Sequence, residues 1–279
     1  MRLRIVFSLK NKGASLPFHH QHLLAQLIKG IIYKGGNEEF KAFTHYNFSA
    51  LKGQTKVSRE GLHYNSNRVT LVFSSPNEEF NSYFLASLFE MPKINIGNLL
   101  IVPQFVEKEI VPNFRDKAKF ICISPVVLLP ATLDSEESKQ FISPEDDRFS
   151  DLLYDSLIQR MEALGKFTEE ELKSFYKFQL VPDKDYLQRI RDQKKKFARI
   201  YSIYEQDVKY EIRGYTLPFT LYADPVVQEF VFTSGIGLLT HKGFGMIDFA
   251  TTNPALKTET YEVVKSAGEG VTEVETETE

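Results

Sequence analysis

The order in which strand-like and helix-like segments follow one another limits this chain more than any other feature. Residues 2–9 alternate polar or basic with apolar side chains, as a half-buried strand does. Residues 18–33 then set Leu23, Leu24, Leu27, Ile28 and Ile31 at helical spacing, and Gly35-Gly36 ends the run. Residues 42–51 and 68–73 read as strands, 76–89 as an amphipathic helix stopped by Pro92, and 99–110 as a closing strand. The order β-α-β-β-α-β is the ferredoxin-like signature.

The second half repeats this plan with larger insertions. Residues 119–130 supply a strand, and 146–164 a helix with Leu152, Leu153, Leu157 and Ile158 on one face. Residues 199–204 and 208–214 alternate with period two, and 224–233 read as a helix led by Asp224-Pro225, an N-cap followed by proline at the first helical position. A glycine-rich segment then leads to a last strand at 245–249. The expected fold is α+β, with tandem ferredoxin-like (RRM-like) domains over residues 1–115 and 116–255. The second carries a C-terminal glycine-rich loop.

Composition narrows the function classes. A formal net charge of −3 argues against a general nucleic-acid binder, but the charge is unevenly placed. From Lys257 onward seven glutamates face two lysines, which leaves the preceding body mildly basic and makes 256–279 an expected acidic, disordered tail. Cys122 is the only cysteine, so no intrachain disulfide or thiolate zinc cluster can form, and its apolar neighbours make it a small buried hydrophobe. The first strand is too short and too charged for a signal peptide and no run approaches membrane-spanning length, so a cytoplasmic protein without a membrane partner is expected.

The glycine-rich segment runs Gly235-Ile236-Gly237-Leu238-Leu239-Thr240-His241-Lys242-Gly243-Phe244-Gly245, with four glycines in eleven residues. It is not a nucleotide phosphate loop, which ends in Gly-Lys-Ser/Thr. Nor is it a dinucleotide fingerprint, because position 240 is Thr and no long helix follows. Two readings stay open. Bare amides at Gly235, Gly237, Gly243 and Gly245 would cradle an anion with help from His241 and Lys242, or the glycines serve only turn geometry.

Three features together resemble the CRISPR-associated repeat-processing endoribonucleases of the repeat-associated mysterious protein superfamily. One is this segment, which is similar to that family's Gly-hydrophobic-Gly, five residues, Gly-hydrophobic-Gly pattern. The second is the basic first strand followed by Leu16-Pro17-Phe18-His19-His20-Gln21-His22, which looks like the family's proline-aromatic-x-His-Gln entry into its first helix. The third is Lys41-Ala42-Phe43-Thr44 leading to Ser49, similar to its basic-x-Phe-Thr strand. The resemblance implies that the partner is a CRISPR repeat RNA and that the reaction needs neither metal nor cofactor. A ribose 2′-hydroxyl attacks the adjacent phosphorus and leaves a 2′,3′-cyclic phosphate and a 5′-hydroxyl. It also brings in CRISPR effector subunits as partners and either a monomer or a homodimer.

That chemistry needs a group to take the 2′ proton and positive charge on the pentavalent phosphorane. In many members the base is a histidine in the loop after the first helix, beside a helix tyrosine and a lysine ahead of the Phe-Thr strand. Lys41 matches the lysine, but residues 34–40 hold no histidine and Lys29 stands where the tyrosine is expected. His45, four residues beyond Lys41, is the leading candidate base, with His20 and His22 on the first helix as rivals. Tyr33 either replaces the missing tyrosine or is a core aromatic. Expected RNA contacts are Arg2 and Arg4 on the first strand, Lys29, the cluster Lys194, Lys195, Lys196 and Arg199, and the glycine segment with His241 and Lys242. The alternative is a non-catalytic repeat-RNA-binding subunit of a CRISPR effector.

Overall fold

The computed structural model describes residues 1–132, 135–205, 208–250 and 258–263. In the N-terminal half the first strand, Arg2–Leu9, is central, because its alternation lets it bury one face while pairing on both edges. It runs antiparallel to Arg68–Ser74 on one side and to Leu99–Glu109 on the other. The short strand Asn47–Phe48 adds beyond Arg68–Ser74. This is the strand order of a ferredoxin-like sheet. Leu3, Ile5 and Phe7 point toward the helices Gln21–Lys34 and Glu78–Phe89, and pack with Leu24, Ile28, Phe80 and Phe84 in one core. Arg2 and Arg4 therefore lie on the opposite face.

The C-terminal half builds the same topology from Lys117–Cys122, Phe178–Pro182, Pro218–Ala223 and Ile247–Phe249. The helices Asp147–Ala163 and Pro225–Ser234 cover it, with Phe120, Leu153, Leu157, Phe219 and Val231 in the core. Asp224 caps the second of these helices by accepting from the Val226 amide, ahead of Pro225 at the helix start. Tandem ferredoxin-like domains are thus the architecture.

Several elements differ from the sequence reading. The alternating strands Ala198–Glu205 and Val208–Tyr215 pair with each other and with Val126–Val127 in a separate three-stranded sheet. The ferredoxin positions belong instead to Phe178–Pro182 and Pro218–Ala223. Residues 42–51 are mostly irregular: Glu38–Lys41 is a helical turn, and only Asn47–Phe48 is extended. Within the expected tail, Thr258–Tyr261 pairs with Leu99–Glu109 as an edge strand, and Lys108 meets Glu259 at 3.5 Å. The tail residues from 264 onward lie outside the described residues. Among those described, no helix is long and apolar enough to cross a membrane.

The two halves are joined through buried polar contacts. Arg2 is fully buried: its Nε donates to Glu109 at 2.7 Å, and one Nη reaches the carbonyls of Phe232 and Ile247 at 2.9 and 2.8 Å. Its guanidinium lies 4.0 Å from the Phe232 ring. Arg2 is therefore a rivet between domains, which corrects its expected role as a phosphate contact. Arg4 donates to the other Glu109 oxygen at 3.1 Å and keeps a quarter of its side chain exposed. Burial works against the Glu109 carboxylate, but the charges and hydrogen bonds of both arginines outweigh it and hold the group below its ordinary range.

Candidate active site

One cleft of about 380 Å³ opens between the two halves. The first helix contributes His22, Lys29 and Tyr33, and the turn after it Lys41, Phe43 and Tyr46. From the other domain come Tyr204 and Glu205 at the end of their strand, and His241, Lys242 and Phe244 from the glycine-rich segment. Helical spacing explains the first wall, because residues 22, 26, 29 and 33 share one face. Lys29 and Lys41 converge on Tyr33, their ammonium groups 5.6 and 5.7 Å from its ring. Tyr33 is 48% exposed and so is not a core aromatic.

Each cleft cation has a defined setting. Lys41 pairs with Glu38 one turn earlier on its helix. Lys242 lies 3.4 Å from the Glu205 carboxylate on the same wall of the cleft. His241 stands edge-on to Tyr46 at 6.4 Å, and burial, with the neighbouring Lys242 charge, pushes it down to about 4. It is a neutral imidazole at neutral pH.

The histidines separate cleanly. The Nδ1 of His22 lies 3.1 Å from the His19 carbonyl, which only accepts. That bond keeps the proton on Nδ1 and the lone pair of a neutral ring on Nε2. His22 also packs 5.7 Å from Tyr204, which ties the first helix to the opposite wall. His20 is buried, bonds the Pro17 carbonyl at 3.0 Å at the helix start, and leaves its buried Nε2 without a partner among the described residues. Burial holds it below its ordinary value. This corrects His20 as a catalytic candidate, since its ring is buried beneath the helix start and away from the cleft lining. His45 does not line the cleft. It leans on Phe43 at 5.5 Å, and burial followed by the Arg160 charge lowers its affinity for protons. Residues 42–46 do not form a strand, so no alternation directs His45 toward Lys41.

The glycine-rich segment is a joint between domains. Gly235, Gly237, Gly243 and Gly245 are all buried with positive φ. A Cβ on Gly243 would strike the Phe48 ring, and one on Gly235 would overlap the Asn47 amide, both in the other domain. The Gly243 carbonyl accepts from Gln21 Nε2 at 2.6 Å. The amides of Gly235, Gly243 and Gly245 donate to Val231, Thr240 and Pro125, so they are not bare donors for a phosphate. All four glycines are buried, which corrects them as RNA contacts, and at Gly235 and Gly243 the missing side chain lets the two domains meet. His241 and Lys242 keep their expected place in the cleft. Cys122 donates to the Leu217 carbonyl, and burial pushes its thiol up to about 12.

The basic cluster lies at the far end of one cleft strand. Lys194, Lys195, Lys196 and Arg199 are exposed in and beside the turn that precedes Ala198–Glu205, whose last residues reach the cleft. Tyr201 between them packs edge-on against His19 at 4.7 Å. Glu205 was not singled out from sequence as a cleft residue; nothing in its spacing marks it.

A pair of ferredoxin-like domains defines a fold class, and solved structures share that fold. A protein named CRISPR associated protein Cas6 superposes with a TM-score of 0.72 at 21% identity, covering 90% of this chain and 99% of its own. A Cas6-related gene product from Pyrococcus furiosus does so at 0.72 and 20%, covering 91% and 99%. An RAMP protein described as binding different RNA substrates gives 0.72 and 19%, covering 90% and 100%. The model of the family "CRISPR associated protein Cas6, C-terminal" matches residues 107–249, more than half of the chain, and the chain belongs to that family. The CRISPR-associated endoribonuclease Cas6 1 of Methanocaldococcus jannaschii is 26% identical over 256 residues, 87% of this chain and 92% of the relative.

Proposed function

We propose that this protein is a cytoplasmic endoribonuclease that cuts CRISPR repeat RNA in the interdomain cleft, by attack of a 2′-hydroxyl on the adjacent phosphorus. The products are a 2′,3′-cyclic phosphate and a 5′-hydroxyl. The observation that carries the reading is the convergence of His22 with Lys29, Lys41 and Lys242 in one cleft. His22 presents Nε2 to take the 2′ proton, with Nδ1 held by the His19 carbonyl, and as the bond from phosphorus to the 5′ oxygen breaks, that oxygen takes a proton from solvent to give the 5′-hydroxyl. The lysines balance the charge that builds on the phosphorane. Tyr33, steadied between Lys29 and Lys41, offers a hydroxyl to a phosphate oxygen. The exposed cations from Lys194 to Arg199 extend the grip along the strand toward the cleft.

Incubating the full chain with the repeat RNA of its own array in chelator tests this. The expected result is one cut with a cyclic-phosphate end, and loss of at least a hundredfold in rate for His22→Ala with binding retained. Tight binding without a cut would support the alternative, a repeat-binding effector subunit.

A further inference from the structure

A half-buried arginine stands behind the C-terminal wall of the cleft. We infer that Arg160 is a positioning residue, whose guanidinium fork fixes the start of the 235–245 segment so that His241 and Lys242 face the cleft. Arg160 lies on the helix Asp147–Ala163, three residues after the buried Leu157. One Nη donates to the carbonyls of Gly235 and Gly237 at 3.0 and 3.2 Å, and the other to Ser234. Its guanidinium carbon stands 5.6 Å from the Phe230 ring.

These acceptors follow from where the segment begins. The helix Pro225–Ser234 ends there, and the last carbonyls of a helix have no intrahelical donor. A cation at that end also meets the negative pole of the helix dipole. Among the described residues no carboxylate pairs with Arg160 at ion-pair distance, so its charge is answered by these carbonyls. Burial pushes it down to about 10, which leaves it protonated at neutral pH. Two further fastenings complete the wall: the Ile236 amide donates to the Gly245 carbonyl at 2.8 Å, and Gln21 holds the Gly243 carbonyl. The fork fixes the beginning, the neck closes on itself, and the tip is tied to the first helix. Lysine in place of Arg160 keeps the charge but not the planar fork that reaches three carbonyls.

The activity part of this inference rests on the cleft being the site of RNA cleavage; the conformational part does not. Arg160→Lys is compared with the native chain in two measurements. Without RNA, hydrogen exchange at the Leu238 and Gly245 amides is expected to quicken at least tenfold, while Ile5 and Phe7 in the first strand are unchanged. With saturating repeat RNA, single-turnover cleavage is expected to fall at least tenfold, while the dissociation constant for the 2′-O-methyl form of that RNA stays within threefold. Unchanged exchange overturns the inference, and so does quickened exchange with full cleavage. If the native chain binds but does not cut, the endonuclease reading fails and the exchange result alone decides the role of Arg160. Should Arg160→Lys not fold, Arg160→Gln replaces it in both measurements.

Discussion

At the residue scale the cleft turns on which histidine faces it. His22 and His241 line it, while His20 and His45 do not. Alanine at position 45 is therefore expected to leave cleavage within about twofold of native, whereas His22→Ala removes a general base, commonly worth about 10²–10⁴ in rate. Side-by-side single-turnover rates check this contrast. His241 gives a separate prediction through stability. Its proton affinity in the fold, about 4, lies below the ordinary 6.5, so the unfolded chain binds the proton more readily. Its contribution is complete above about pH 6.5 and is lost as pH falls from there toward 4. Denaturant titrations across that window are expected to show a steeper fall for the native protein than for His241→Gln. The sequence exposed the residue types that this chemistry needs but not their direction: Tyr33 and His22 stand at helical spacing with Lys29, whereas His45 follows a turn whose path no periodicity records.

At the scale of elements, the glycine-rich segment shows how a motif can be read correctly and assigned the wrong neighbour. Its glycines all take positive φ, and a Cβ would collide at each: at Gly235 and Gly243 with Asn47 and Phe48 of the other domain, at Gly237 and Gly245 with the backbone of Val127 and Ile236 in their own. Sequence spacing carries no information about which surface will lie against a bare backbone. The expected consequence is a difference between two left-handed glycines. Gly13 has φ +84° and open space within 4 Å of where an alanine methyl would stand, so Gly13→Ala costs only the backbone term of about 1 kcal/mol. Gly243→Ala adds collision with Phe48 and is expected to cost about 1–3 kcal/mol more. Equilibrium unfolding of both variants measures the gap. The swapped strands of the second domain have a similar cause. The hairpin strands Ala198–Glu205 and Val208–Tyr215 each run for eight residues, while Pro218–Ala223 has six and opens on a proline.

At the scale of the whole molecule, the tandem plan was legible because each half repeats the same order of elements, and the insertions alone obscured it. The way the halves meet was not legible, since it depends on a charge that looks like a surface residue in a strand of alternating polarity. Arg2 and Glu109 form a buried ion pair at the domain junction. Glu109→Gln strips the charge partner from a fully buried guanidinium and is expected to destabilise the protein by about 3–5 kcal/mol. The same substitution at the exposed Glu259, which meets Lys108 at the surface, should cost under about 1 kcal/mol. Thermal unfolding compares the two. Because the cleft walls come from both domains, the Glu109 variant is also expected to lose cleavage at temperatures below its unfolding transition.

The most direct measurement of the central claim is the 3′ end left on the upstream fragment when the full chain cuts its repeat RNA in chelator. The account predicts a 2′,3′-cyclic phosphate, formed at least a hundredfold more slowly by His22→Ala and at near-native rate by His45→Ala. A 3′-hydroxyl end, or an undiminished rate in the His22 variant, would contradict it.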